Sequence, residues 1–273
     1  MIRLVVNADD LGFDAAIDRG IFRAYQKGIV TSASLLVTGR TAAAAVRQAL
    51  EERLPLGVHL CLTSMLPPAS SPSMVPSLAP GGRFRKSWPQ VVAAWAGGQL
   101  KLDQVRVEFE SQIARARDLG AAPDHLDGHQ HLHLLPGVCE VAQSIAAEAE
   151  LPLRWPGEVP RLDWLFRPAP ALKTLLLRAL STFDAGPARK VAGVGVFEAG
   201  GLDEDALVRL LIEMPDGEFE LGCHPGSEVS RIPELPDWSY GWEQELRALC
   251  SPRVRQLVQT RGIRLCSYSE LFA

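Results

Sequence analysis

The chain has 273 residues, 47% hydrophobic and 22% charged, with a formal net charge of −4. That is a globular composition with material for a sizeable core, which excludes the disordered and fibrous classes, and its interleaved charges offer no basic stripe for nucleic acid. No apolar run of about 18 residues and no leader-like start occur, so the sequence reads as cytoplasmic without a transmembrane segment, and five scattered cysteines exclude a disulfide framework or a four-cysteine zinc site.

Residues 4–8 are a short apolar run closed by Asp9, Asp10 and Gly12, after which Ile17, Ile21, Phe22 and Tyr25 recur at helical spacing up to Gly28. The pattern predicts strand, loop and helix. Residues 32–38 repeat the strand signal, Thr41 begins an alanine-rich helix to about residue 53, and residues 56–62 form a strand carrying His59. Residues 63–98 are rich in Pro, Ser, Gly and Trp and read as a loop insertion, either a lid with Trp88 as a stacking platform or a surface excursion. A helix over 103–119 precedes the histidine-rich stretch at 125–133. A helix over 136–150 and a short strand at 153–155 follow. Four prolines between 156 and 170 mark an irregular crossing before a leucine-rich helix near 171–180. Strands at 191–197 and 219–223 flank a helix at 203–214, and one long helix over 242–261 leads to a last strand at 264–267.

Short apolar strands alternating with helices indicate an α/β fold with a parallel sheet. Asp9-Asp10, His59, His129 and His224 each lie at or just after the carboxyl end of a different strand, and a closed barrel brings such residues to one mouth. The expected architecture is therefore a distorted, TIM-like (β/α) barrel with seven strands, formed by residues 1–273 as one domain with an insertion at 63–98.

Residues 125–133 read His-Leu-Asp-Gly-His-Gln-His-Leu-His and hold four of the six histidines. As far as this stretch stays extended, His125, Asp127, His129, His131 and His133 point the same way. Burying them unpartnered would cost roughly 1–3 kcal/mol per group, so a cation, a polar substrate or water should meet them. Histidine with carboxylate is the donor set of a divalent ion, and Asp10, His59 and His129 are the candidate ligands. Asp9 fits a proton-accepting role and His224 a proton-donating one. His125, Asp127, His131 and His133 are expected to orient the ligands or meet substrate; Arg154 and Trp155 are candidates for contact with sugar hydroxyls and a ring face, with salt bridging and core packing the favoured readings. The competing readings are a helix-start carboxylate for Asp9-Asp10, a core histidine for His59 and a metal-free hydrogen-bond ladder for the histidine run, while Trp238, Tyr240 and Trp242 either line the mouth or anchor the last helix. Cys61 and Cys223, beside these motifs, read as small apolar residues.

Asn7-Ala8-Asp9-Asp10-Leu11-Gly12, Gly57-Val58-His59-Leu60, the run from His125 to His133 with Pro136, and Cys223-His224-Pro225 together resemble the YdjC-like family of carbohydrate deacetylases. That family includes chitooligosaccharide and hopanoid-glycolipid deacetylases. The resemblance implies a distorted barrel that removes N-acetyl groups from amino sugars, with one divalent ion, Mg²⁺ or Zn²⁺ and alternatively Mn²⁺ or Co²⁺. It implies Asp10, His59 and His129 as metal ligands and Asp9 as base, with His224 as acid by analogy with the wider metal-dependent polysaccharide deacetylases. The implied partners are an N-acetylated sugar or glycolipid and a second copy in a homodimer. The chain departs from the family pattern at Leu11, where Phe is usual, and over 63–98 and 156–191. The alternatives are a metal-dependent hydrolase of another amide or a phosphoester, and a non-catalytic sugar-binding protein.

Overall fold

Alternation along the strands decides which residues reach the barrel interior. In β1 (Ile2–Leu11), Leu4, Val6 and Ala8 face outward, while Val5, Asn7 and Asp9 face inward. The computed structural model describes residues 1–156, 158, 167–182, 186, 188–232 and 240–273. The other strands are β2 (Ser32–Leu35), β3 (Leu56–Leu60), β4 (Leu126–Gly128), β5 (Leu153–Pro156), β6 (Lys190–Val194), β7 (Gly217–Cys223) and β8 (Arg264–Leu265). All pair in parallel. Strands β1 to β7 follow one another round a closed ring, because β1 bonds to both β2 and β7. The short β8 joins only Arg3 and Leu4 of β1, below the point where β2 takes over the same edge at Asn7. The barrel thus has seven strands at its mouth, as expected, and a partial eighth at its base.

The outward side chains, among them Val58, Leu60, Leu126, Leu153 and Leu221, pack beneath the surrounding helices in one large apolar cluster. Those helices are α1 (Ala15–Lys27), α2 (Ala42–Glu52), α3 (Trp88–Ala96), α4 (Leu102–Asp118), α5 (Val138–Glu148), α6 (Pro168–Thr182), α7 (Glu204–Glu213), α8 (Trp242–Leu249) and α9 (Pro252–Thr260). A second, smaller cluster of Val5, Val191, Cys266, Tyr268 and Leu271 forms the floor, where α10 (Tyr268–Phe272) plugs the base. Between floor and mouth the interior is polar.

Three expectations are corrected. The 63–98 segment is not structureless: it carries two 3₁₀ turns and α3, entered through Trp88-Pro89. The long helix over 242–261 is two helices, because Ser251 caps a new start and Pro252 takes its first position. The histidine run is extended only to Gly128, and residues His129–Leu134 coil into 3₁₀ turns with φ of 54° at Gln130 and 56° at His131. His131 and His133 therefore leave the shared face. Among the described residues no helix is long and apolar enough to cross a membrane.

Candidate metal and catalytic centre

Adjacent strand residues normally face opposite sides, yet Asp9 and Asp10 are both buried at the mouth. The β1–β2 register breaks between Ala8 and Leu11, and Asp10 adopts φ 70°. This left-handed kink costs on the order of 1–3 kcal/mol for a residue other than glycine. It is held by Phe13 N–H donating to Asp10 O at 3.1 Å and by Gly12 N–H donating to the Asp18 carboxylate at 2.7 Å. Burial pushes the Asp18 pKa up to about 6. Gly12, at φ 87°, continues the same bend.

The kink aims the Asp10 carboxylate at two imidazoles. Its Oδ1 lies 2.9 Å from His129 Nδ1 and 3.4 Å from His59 Nε2, and all three residues are buried. The other nitrogen of each ring has its own anchor: His59 Nδ1 sits 2.7 Å from Asp127 Oδ1, and His129 Nε2 sits 2.9 Å from Ser64 Oγ. Ser64 and its neighbour Met65 both adopt left-handed φ, 69° and 59°, which turns the hydroxyl inward. Burial alone would raise the Asp10 pKa, but His129 and His59 outweigh it and hold the carboxyl well below its usual range. Neither Asp10 oxygen has an aligned hydrogen bond, an arrangement a buried carboxylate does not sustain without another partner. Ligand atoms of Asp10, His59 and His129 lie within 4.8 Å of one another, an N/O donor set that fits a divalent ion. Beneath it, Asp9, Asp127 and Glu220 are buried around the guanidinium of Arg154.

Arg154, from β5, fixes Asp9. Its Nη1 and Nη2 reach the two Asp9 oxygens at 2.6 Å each, its Nε reaches Glu220 at 2.6 Å, and Nη2 also lies 2.9 Å from Asp127. Burial works against the guanidinium, but Asp127, Asp9 and Glu220 outweigh it and raise its pKa. Asn7 Nδ2 adds a third donor to Asp9 at 2.9 Å. On the far side of Asp9, His224 Nε2 stands 3.8 Å from Asp9 Oδ2. Burial would lower the His224 pKa, but Glu245 of α8, with Asp9 and Asp10, raises it. Glu245 also accepts the His224 backbone N–H at 2.6 Å, and Tyr240 leans on the imidazole with ring centroids 4.3 Å apart.

The sequence that builds this carboxylate–imidazole triad matches the model of the YdjC-like protein family over residues 3–260. The chain belongs to the YdjC-like family. A carbohydrate deacetylase from Mus musculus is 36% identical, over 99% of this chain and 95% of its own. A chitooligosaccharide deacetylase from Yersinia enterocolitica is 29% identical, over 98% of each chain. The crystal structure of a candidate cellobiose-phosphate cleavage protein from Enterococcus faecalis superimposes with a TM-score of 0.77 at 26% identity, over 99% of this chain and 98% of that one.

For a YdjC-like chain, the residues singled out in sequence divide cleanly in space. Asp9, Asp10, His59, Asp127, His129, Arg154 and His224 meet at the mouth or directly beneath it. His125 lies deeper, its Nε2 3.1 Å from Ser34 Oγ. The His125 ring fills the space in which a Cβ on Gly57 would stand, 2.3 Å away, which explains the glycine of the Gly-Val-His motif. His133 turns below the mouth to the Arg154 carbonyl at 3.3 Å, and burial lowers its pKa to about 4. His131 lines a small cavity with Asp9, Arg154 and His224, and burial lowers its pKa. Arg154 is an ion-pair hub, in line with the salt-bridging reading. Trp155 faces away from the mouth, where its indole N–H donates to Ser181 O at 3.2 Å and Lys190 lies over the ring. Trp88 is exposed, Tyr240 tilts against His224 and Trp242 meets it edge-on, and Trp238 lies outside the described residues. Cys61 and Cys223 are buried thiols, with Cys61 pushed up to about 12 by burial. Sequence reasoning missed Asn7 as a donor, Ser34, Ser64, Glu220 and Glu245. Glu220 had a readable signal, a charge at an inward position of an apolar strand.

Proposed function

We propose that the chain is a metal-dependent N-deacetylase of acetylated amino sugars, built as one barrel domain. The observation that carries this reading is the Asp10, His59 and His129 cluster flanked by a braced carboxylate, Asp9, and a histidine with raised pKa, His224. The names of the mouse and Yersinia relatives supply the reaction class. Asp10, His59 and His129 would hold the ion, which when bound polarises the acetamide carbonyl and makes water more acidic.

Hydrolysis of an acetamide adds water oxygen to the carbonyl carbon and breaks the C–N bond. One proton must leave the water and one must reach the amine nitrogen. Asp9 takes the first, its oxygens held in one orientation by Arg154 and Asn7. His224 delivers the second, because Glu245 keeps the imidazole protonated above its ordinary range. The two groups stand 3.8 Å apart, so a proton donor and an acceptor serve the same small volume. Arg154 is committed to three carboxylates and is not available to a phosphate, which disfavours phosphoester hydrolysis.

The test is acetate release from N-acetylglucosamine oligomers and glycolipids by chelator-stripped protein, with single divalent ions added back. Release restored by an ion supports the reading and sorts the substrates. Full release from the stripped protein overturns metal dependence, and no release by a protein shown to carry metal overturns deacetylation of these sugars.

A further inference from the structure

The family model ends at residue 260, yet Tyr268, beyond it, is completely buried inside the barrel. Its ring lies flat on His125, with centroids 3.8 Å apart and planes 12° from parallel. The neighbouring residue of α10 grips the same histidine by a second route: Ser269 N–H donates to Asp124 Oδ2 at 3.3 Å, and Asp124 Oδ1 lies 2.7 Å from His125 Nδ1. His125 is thus held from both ring face and ring edge by the last helix.

From His125 a continuous path of hydrogen bonds climbs to the mouth. His125 Nε2 meets Ser34 Oγ at 3.1 Å, and Ser34 donates to Asp127 Oδ2 at 2.6 Å. Ser34 has one hydroxyl proton and gives it to Asp127, so His125 Nε2 and Asn7 Nδ2, the latter at 2.6 Å, are the donors at Ser34. Asp127 Oδ1 then accepts from His59 Nδ1 at 2.7 Å, which leaves Nε2 as the nitrogen turned toward Asp10. Each member is buried and each bond fixes the next, so the ring angle of His59 is set from below.

We propose that Tyr268 is a positioning residue for the metal site, acting through His125, Ser34 and Asp127 on His59. The proposal rests on the reading of Asp10, His59 and His129 as metal ligands. It gives the base of the barrel a role in the chemistry at its mouth, and assigns that role to a segment outside the family match.

The experiment is Zn²⁺ titration of the full chain against a competing chelator, for wild type, Tyr268→Leu, Tyr268→Phe, His125→Phe and the double variant Tyr268→Leu/His125→Phe. Removing a direct partner of a metal-bound histidine typically weakens metal binding 10–100-fold, and a more remote member should cost less, about 3–10-fold. Tyr268→Leu is expected in that range, and Tyr268→Phe, which keeps the stack, at wild-type affinity. The double variant should bind no more weakly than His125→Phe, since both act on one path. A folded Tyr268→Leu with wild-type affinity, or losses that simply add in the double variant, would overturn the proposal. If Tyr268→Leu does not fold, Ser34→Ala tests the same path from its middle, and unchanged affinity there refutes it. Wild-type protein that binds no Zn²⁺, Mn²⁺, Co²⁺ or Mg²⁺ overturns the metal reading itself, an outcome distinct from all of these.

Discussion

Two aspartates on either side of His59 live in opposite circumstances. Asp127, beneath it, is fully buried and fully engaged, by His59, Ser34 and Arg154. Asp10, above it, is equally buried, sits on a kinked backbone and has no aligned hydrogen bond at either oxygen. Asp10 faces imidazole nitrogens alone, at 2.9 Å and 3.4 Å, whereas Asp127 also holds a hydroxyl and a guanidinium, so the lower tier serves as scaffold and the upper tier is where the proposed ion would sit. The difference is what sets Asp10 apart from the other buried acids in the proposed metal site.

Substitutions at the two tiers should separate them. Asp10→Asn is expected to abolish metal binding and acetate release at only a modest cost in stability, because the pairing with His129 and His59 is lost while those rings keep their anchors on Ser64 and Asp127. Calorimetric metal titration alongside a thermal melt checks both halves, and a strongly destabilised Asp10→Asn would break the contrast. Arg154→Met should do the reverse and unfold the scaffold tier by about 3–5 kcal/mol, since Asp9, Asp127 and Glu220 lose their common cation. Urea denaturation of the metal-free protein measures it. Asp127→Asn keeps shape but weakens the hold on His59, with a loss of about 10–100-fold in metal affinity.

The smallest effect concerns the proton donor. The groups facing His224 are Glu245, Asp9, Asp10 and Tyr240, and Glu245 contributes most to raising its pKa. A donor acts in its protonated form, so activity should be full below the His224 pKa and fall as pH rises through it. Glu245→Gln removes the raising charge and should move the alkaline limb of kcat to lower pH, with only a several-fold loss near neutrality. An alkaline limb that stays in place in this variant would remove His224 from the role.

Much of this was readable in the chain because the barrel obeys simple periodicities. The inward and outward alternation of β1, β3 and β7 put Asn7, His59 and the residues before His224 where they are found, and the carboxyl-end rule gathered them at one mouth. The histidine run misled for a physical reason: its period of two continues past Gly128, but the backbone turns there, and left-handed φ at Gln130 and His131 leaves no mark in residue type. Ser64 and Glu245 were hidden because their partners, His129 and His224, are remote in sequence and nothing local demands them. Pro252 was legible and overlooked, as Ser-Pro at a helix start is a known signature.

The pairing of β1 also has a consequence for how the chain is made. Its two edges are filled by β2, which follows at once, and by β7 and β8, which come more than 200 residues later. A nascent chain must therefore keep an apolar strand, Leu-Val-Val, half unpaired until residues 217–223 have been synthesised, and contacts of such long sequence separation form slowly. Ring closure should be the late, rate-limiting event in folding, and the exposed edge of the first strand the place where a folding failure becomes an aggregate.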